Sequence, residues 1–172
     1  MGLKPHLIDI VGYSLGAHVA GYVGATLLTR KQGKLNKIIA LCKAAVNFDK
    51  TDKGLNASCA STVIDVISDN GNGIGSIELR GSTMYLMNSH LKLQPGCFLP
   101  ICNHKMCIHQ FYAANHPDFF QNENQLRGFK CQQSQKVCWA NVETSKLSCS
   151  SGKDTGCYCV NTPKIFKFTQ ET

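Results

Sequence analysis

The chain has 172 residues, of which 43% are hydrophobic and 17% are charged, and its net charge is +7. This length favours one compact domain over two, and the composition excludes an intrinsically disordered chain. No apolar run approaches the roughly 20 residues that a membrane-spanning helix needs. The lysines are scattered from Lys4 to Lys167 without a motif of interleaved aromatic residues, so a nucleic-acid partner is not expected.

The ten cysteines indicate an oxidising compartment. Most of them lie between Cys97 and Cys159, and such a framework is rare in the cytosol because reducing compartments keep thiols reduced. Zinc ligation is the rival interpretation, but the cysteines lack a repeated two-residue spacing with partner histidines. We therefore expect an extracellular protein that contains disulfides and no bound metal.

The chain begins with a strand pattern rather than with a signal peptide. Residues 1–10 lack the basic segment followed by an apolar segment that marks a secreted precursor. Either the chain is not exported, or it is the C-terminal part of a longer precursor.

The first predicted element is a strand that turns directly into a helix. Residues 7–11 are an apolar run with β-branched side chains, and Gly-Tyr-Ser-Leu-Gly follows at once. Apolar side chains then recur at helical spacing on one face, at Leu15, Val19, Tyr22, Val23 and Leu27. Two further strands are predicted over residues 37–42 and 62–67, whereas only residues 107–114 of the later chain have a helical pattern. This order predicts an α/β fold with a mostly parallel sheet.

The sequence Gly12-Tyr13-Ser14-Leu15-Gly16 fits the G-x-S-x-G pattern of a nucleophile elbow. In such an elbow the serine lies on a strained turn between a strand and a helix, and glycines two residues to either side leave room for the backbone. Ser14 is therefore the candidate nucleophile, and the N–H of Leu15 is the candidate oxyanion donor. The alternative is a structural glycine turn that happens to contain a serine.

One segment resembles the elbow of the pancreatic-lipase family, and in particular that of the secreted phospholipases A1 of insect venoms: Ile10-Val-Gly-Tyr-Ser-Leu-Gly-Ala-His-Val-Ala-Gly21. Further motifs agree in the same order along the chain: Lys37-Ile-Ile-Ala-Leu, Val63-Ile-Asp-Val-Ile67, Gln94-Pro-Gly-Cys97, Cys102-Asn-His104 and Phe111-Tyr-Ala-Ala114. The family usually has histidine where Tyr13 stands.

The resemblance implies an α/β-hydrolase fold. Residues 1–172 are then the C-terminal portion of the sheet in a single partial domain, with a core over 1–115 that holds the elbow and a cysteine-rich, disulfide-stapled tail over 116–172. Strands that precede the elbow in the family are absent, so we expect an N-terminally truncated member.

By resemblance, the family's catalytic histidine maps onto His104, which follows a cysteine and a small polar residue. Its imidazole is expected to take the proton of the serine and return it to the leaving alcohol. The family's acid stands in a Leu-Asp-Pro-Ala pattern, which is Leu-Cys-Lys-Ala here, with Cys42 at the position of the carboxylate. Most other α/β-hydrolases carry the acid one strand later, and Asp69 is the candidate substitute. The alternative is that Asp69 only forms the turn in Ser-Asp-Asn-Gly.

The resemblance also pairs Cys97 with Cys102, a disulfide that in the family's lipases closes a long lid loop over the site. Here only Phe98-Leu-Pro-Ile101 lies between the two cysteines. A short lid leaves the serine open to phospholipids, so the resemblance implies a phospholipase A1 more than a triglyceride lipase. The family's acidic calcium-binding loop is not recognisable, and no cofactor is expected.

The resemblance thus implies a carboxylic ester hydrolase that cleaves the sn-1 acyl ester of phospholipids, with Ser14 as nucleophile. The expected partner is a phospholipid or another acyl-ester lipid at a membrane or lipid-droplet surface. The positive charge is either a solvated surface or a patch that attracts anionic head groups. Cys42 and the absent first half support a second hypothesis, a catalytically inactive relative that binds or stores lipid.

Overall fold

The computed structural model describes residues 2–49, 51, 53–69, 74–89, 91–115, 127–130, 144–146 and 156–162. A short 3-10 helix over Pro5–Leu7 precedes the first strand. The remaining elements are β1 (Asp9–Tyr13), α1 (Leu15–Thr29), β2 (Leu35–Leu41), β3 (Ala60–Ile67), β4 (Thr83–Met87), α2 (Pro100–Asn115), β5 (Arg127–Lys130), β6 (Thr144–Lys146) and β7 (Gly156–Val160).

The described strands form one sheet in the order β1-β2-β3-β4-β7-β5-β6. Neighbours from β1 to β7 pair in parallel, whereas β5 pairs with β7 and with β6 in antiparallel fashion. Parallel sheets are covered on both faces, which explains why their strands read as continuous apolar runs. The predicted α/β fold with a mostly parallel sheet is therefore confirmed.

Side chains of successive residues in a strand point to opposite faces of the sheet, so each strand feeds two cores. Ile38 and Ala40 of β2 pack in the cluster that includes Ala17 and Ala20 of α1. Ile39 of β2 packs in a second cluster, which contains Cys107 of α2 together with residues of β3, β4 and β7. The two helices thus cover opposite faces of the sheet.

The structure extends one predicted element and adds a strand that the sequence analysis did not predict. Helix α2 begins at Pro100, well before residue 107 where the helical pattern was predicted to begin. Strand β4 was not predicted, because Thr83–Met87 carries two methionines and lacks the β-branched run of the other strands. Most of the predicted cysteine-rich tail over 116–172 lies outside the described residues, and its described parts contribute β5, β6 and β7 to the same sheet.

Helix α1 buries a different face from the one that its large apolar residues mark. Its exposed side chains include Leu15, Val19, Tyr22 and Val23. Its buried residues are Ala17, His18, Ala20, Gly21 and Gly24. A Cβ on Gly24 would lie 2.1 Å from the backbone oxygen of Cys59, so small residues let the helix approach the neighbouring backbone closely. Among the described residues, no helix has the length and apolarity to cross a membrane.

Candidate active site

Ser14 lies on the turn between β1 and α1. Its φ of 53° and ψ of −119° fall in a region that residues other than glycine rarely adopt, and such strain is typical of a nucleophile elbow. The backbone N–H of Ser14 donates to the backbone oxygen of Leu41 at 2.9 Å. The backbone oxygen of Ser14 accepts from the N–H of Ala44 at 3.2 Å. The residues around the end of β2 thus hold the strained turn from both sides.

The two glycines of the elbow have different roles. A Cβ on Gly12 would lie 2.5 Å from the oxygen of Gly16 and 2.7 Å from the Cα of Ala17, so the strand and the helix meet too closely for any side chain there. A Cβ on Gly16 would meet nothing within 4 Å outside its own helix. The prediction that both glycines are needed for backbone packing is therefore right for Gly12 and wrong for Gly16.

Three side chains form one chain of hydrogen bonds. The hydroxyl of Ser14 lies 2.9 Å from Nε2 of His104, and Nδ1 of the same ring lies 2.8 Å from Oδ2 of Asp69. In the neutral ring, Nδ1–H donates to the carboxylate and Nε2 accepts from the serine. The side chain of His104 is 4% exposed and that of Asp69 is 0% exposed. This is the order of contacts that a serine hydrolase needs for proton transfer.

Asp69 lies two residues beyond β3, in a close-packed corner. A Cβ on Gly75 would lie 2.0 Å from Oδ2 of Asp69, so the glycine leaves the space that the carboxylate fills. The other oxygen, Oδ1, is buried and has no hydrogen-bond partner among the described residues. Residues 70–73 of the predicted turn lie outside the described residues.

Cys42, which stands at the family's acid position, directly follows β2 and has a positive φ of 41°. Its sulfur accepts a hydrogen bond from the N–H of Ser68 at 3.3 Å and lies 3.2 Å from the hydroxyl of the same serine. That hydroxyl donates to the backbone oxygen of Asn103, the residue before His104. The thiol therefore supports the end of β3 and the start of α2, next to the hydrogen-bonded triplet.

A second thiol lies behind the imidazole. The Sγ of Cys107 donates to the backbone oxygen of His104 at 3.2 Å. Burial, and then its hydrogen bond with Cys42, raise the pKa of the Cys107 thiol well above its ordinary value, so the group stays protonated. Cys42, Cys59 and Cys107 are all reduced and buried. These three core cysteines are therefore not parts of the expected disulfide framework.

Tyr13, where the family usually has histidine, packs against the imidazole. The two rings lie 5.1 Å apart between centroids and are tilted by 45°. Desolvation by burial, with smaller contributions from nearby acidic groups, raises the pKa of Tyr13 to about 12. The residue therefore presents a neutral phenol to His104. Sequence reasoning treated this position only as a tolerated departure and missed the contact.

His18 is a packing residue, as expected for a histidine without a family match. Its ring stacks on Phe48 with centroids 3.6 Å apart. Nε2–H donates to the oxygen of Ala44 at 2.8 Å, and Nδ1 accepts from the N–H of Leu55 at 3.3 Å. Burial, the largest effect, lowers the pKa of His18 below its ordinary value. The neutral ring thus ties α1 to the segment after β2, which in turn bonds to Ser14. Of the other unmatched histidines, His90 and His116 lie outside the described residues.

Leu15 is the first residue of α1 and directly follows the serine. The first N–H groups of a helix have no partner inside the helix, and the positive end of the helix dipole lies there. The oxyanion role predicted for the N–H of Leu15 is compatible with this position and stays a prediction. The side chain of Leu15 is 58% exposed.

A short disulfide loop precedes the histidine. Cys97 and Cys102 form a disulfide with their Cα atoms 5.5 Å apart. Within this loop Phe98 is 90% exposed and Leu99 is 64% exposed, so their apolar side chains point into solvent. Cys159 of β7 is also disulfide-bonded.

Comparison with known sequences identifies the family. The profile of the Lipase family matches residues 1–157. Phospholipase A1 2 of Vespa affinis is 30% identical over 141 residues, which cover 76% of this chain and 42% of that protein. Phospholipase A1 of Vespula maculifrons is 31% identical over 104 residues, which cover 59% of this chain and 34% of that protein. Phospholipase A1 VesT1.02 of Vespa tropica is 33% identical over 109 residues, which cover 60% of this chain and 36% of that protein.

The matched segment spans 34–42% of the length of these three relatives. The family profile, in contrast, extends over most of this chain, from residue 1 to residue 157, just inside β7. The chain therefore belongs to the lipase family, which confirms the resemblance to the pancreatic-lipase family that its motifs predicted.

Proposed function

We propose that this chain carries the catalytic groups of a phospholipase A1-like serine ester hydrolase, which cleaves the sn-1 acyl ester of phospholipids. The observation that carries the proposal is the continuous contact from Ser14 through His104 to Asp69, at 2.9 and 2.8 Å. Three residues that are distant in sequence rarely adopt this order without a role in proton transfer. The names of the wasp relatives support the choice of substrate.

In the proposed reaction Ser14 Oγ attacks the acyl carbonyl and forms an ester with the acyl group. His104 Nε2 accepts the hydroxyl proton and returns it to the leaving lysophospholipid oxygen. Water then hydrolyses the acyl-enzyme by the same route in reverse. The N–H of Leu15 donates to the oxyanion at each stage, where its partial positive charge is already in place.

Asp69 is proposed as the acid in place of the missing carboxylate at Cys42. Its buried position next to Nδ1 fits the task of fixing the ring tautomer and stabilising the imidazolium while the proton is held. The side chain of Cys42 offers no carboxylate for this task. The neutral phenol of Tyr13 covers the ring and shields it from water.

The proposed substrate and location follow from the surroundings of the serine. The short loop closed by Cys97 and Cys102 carries exposed apolar side chains, which suits contact with a membrane or lipid-droplet surface. Disulfides in the described part of the chain suit an extracellular protein. We propose a secreted enzyme for these reasons.

A fluorophosphonate probe tests the nucleophile. We expect the probe to label Ser14 in the folded chain, with no label in Ser14→Ala and full label in Ser61→Ala, a matched change at an exposed serine of β3. Release of the sn-1 fatty acid from phosphatidylcholine with two different acyl chains then tests the substrate. A folded chain that takes up no label would favour the inactive, lipid-binding relative.

A further inference from the structure

A thiol, a carboxylate and an imidazole converge in the interior of this protein. The Sγ of Cys42, a carboxylate oxygen of Asp69 and a ring nitrogen of His104 all lie within 4.8 Å of one another, and all three residues are buried. We propose that this cluster binds a thiophilic divalent cation, Zn²⁺ above all, and that the bound ion blocks the serine. Binding requires only the three ligands, whereas the block rests on the proposed function.

The donor set selects for zinc. Thiolate, imidazole and carboxylate are the three ligand types that proteins use for Zn²⁺, whereas Ca²⁺ and Mg²⁺ prefer oxygen ligands only. A thiolate on Cys42 and the carboxylate of Asp69 supply two negative charges, which balance the charge of the ion. The complex is therefore neutral overall, which matters because an unbalanced charge is strongly unfavourable in a buried site.

The geometry requires only small side-chain movements. From zinc–ligand bond lengths, the donor atoms of a tetrahedral site lie roughly 3.3–3.6 Å apart. The contact of 2.8 Å between Nδ1 of His104 and Oδ2 of Asp69 must open, and distances near 4.8 Å must close by about an ångström. The buried Oδ1 of Asp69, which has no hydrogen-bond partner among the described residues, is a further donor atom for the ion.

The groups around the cluster suit a metal thiolate. The N–H of Ser68 already donates to the Cys42 sulfur at 3.3 Å, and the hydroxyl of the same residue lies 3.2 Å away. The N–H is a donor that stabilises the negative sulfur and orients it, whereas the hydroxyl donates to the backbone oxygen of Asn103. The hydrogen bond that stabilises the zinc-bound sulfur is therefore already present before the ion binds.

Zinc at this position converts the imidazole from an acceptor into a donor toward the serine. The thiol of Cys42 loses its proton to solvent when the zinc–sulfur bond forms. Nδ1 of His104 gives up its hydrogen and binds the ion through the freed lone pair, while Nε2 gains a hydrogen. Nε2–H then donates to Ser14, and the ring has no lone pair left to accept the serine proton. Binding releases one proton in total and stops the proposed hydrolysis.

Calorimetric titration of the purified chain with Zn²⁺, without substrate, tests the site. We expect Cys42→Ser to weaken binding by at least about tenfold, since even second-layer partners contribute that much to metal affinity. Cys59→Ser, a matched change at a buried thiol in the α1 cluster, should retain the affinity of the native chain. Equal affinity in the native chain and Cys42→Ser, or no binding by the native chain, would overturn the proposal.

Two further measurements separate this proposal from the hydrolase and from misfolding. The native chain loaded with Co²⁺ should show a thiolate charge-transfer band and the strong visible bands of a tetrahedral site, which needs no variant. A Co²⁺ spectrum without the thiolate band contradicts the site. Ser14→Ala should bind Zn²⁺ as the native chain does, so metal binding stands or fails independently of probe labelling at the serine.

Discussion

The ends of β2 and β3 occupy equivalent places in the sheet but hold different chemical groups. β2 leads directly into Cys42, and β3 is followed by Ser68 and Asp69; all three are buried. Parallel strands end at the same edge of a sheet, so neighbouring ends bring their side chains to nearly the same point. The thiol and the carboxylate thus lie together with the ring of His104 within 4.8 Å. The two strand ends therefore place their side chains beside the same imidazole.

The largest expected effect comes from removal of the carboxylate at the end of β3. In Asp69→Asn we expect the hydrolytic kcat to fall by about 10⁴, because an amide neither fixes the required tautomer nor stabilises the imidazolium. Steady-state hydrolysis of a chromogenic ester measures the change, with circular dichroism to check the fold. Asp9→Asn, at an exposed position of β1, serves as the control. If Asp69→Asn kept its activity within tenfold, Asp69 would not be the catalytic acid and would only form the turn after β3.

The next largest effect is a transfer of the acid from one strand end to the other. In the Asp69→Asn background, Cys42→Asp restores the family's carboxylate, and we expect kcat to recover by at least about tenfold. Ser68 already directs its N–H toward this position, so an aspartate there has a donor to orient it. Cys42→Asn in the same background keeps the size without the charge. Equal activity in the two double variants would show that the β2 end no longer reaches the imidazole.

A glycine beside the acid provides a smaller, structural test. Gly75→Ala places a methyl group 2.0 Å from Asp69 Oδ2, and we expect this overpacking to lower the free energy of unfolding by about 1–3 kcal/mol. Gly16→Ala, where the methyl group meets open space, should leave the stability unchanged or raise it by up to about 1 kcal/mol. Urea denaturation distinguishes them. If Gly75→Ala left the free energy of unfolding unchanged while Gly16→Ala lowered it, the packing described around Asp69 would be contradicted.

The smallest effect concerns pH and the segment after β2. Burial lowers the pKa of His18 from its ordinary value of 6.5, so the folded chain prefers the neutral ring while the unfolded chain takes up a proton first. The stability from the neutral ring is present above pH 6.5 and is lost as pH falls through the lower folded-state pKa. We expect less resistance to urea at pH 5 than at pH 8, and a weaker pH dependence in His18→Gln. An equal pH dependence in both chains would assign the change to another group.

Much of the fold was predictable from local patterns. The strand, elbow and helix around Ser14 follow from an apolar run, two glycines and helical spacing, all within a short stretch of chain. β4 was not predicted because its apolar run lacks β-branched residues. It forms a strand because it is buried between β3 and β7, not because of its local propensity. The buried face of α1 was not predicted either. The helix approaches the neighbouring backbone closely, so its buried face carries small residues, whereas its large apolar residues lie on the exposed face.

The family, the elbow and the candidates Ser14 and His104 were all evident from the amino-acid sequence, because short motifs carry that information within a few residues. The amino-acid sequence left two interpretations of Asp69 and gave no role to Tyr13 or Ser68. The contact of 2.8 Å between the Asp69 carboxylate and Nδ1, and the position of Cys42 beside it, became evident from the three-dimensional fold. The physical reason is that these contacts join the ends of separate strands and a helix, whose relative positions depend on the packing of the whole sheet.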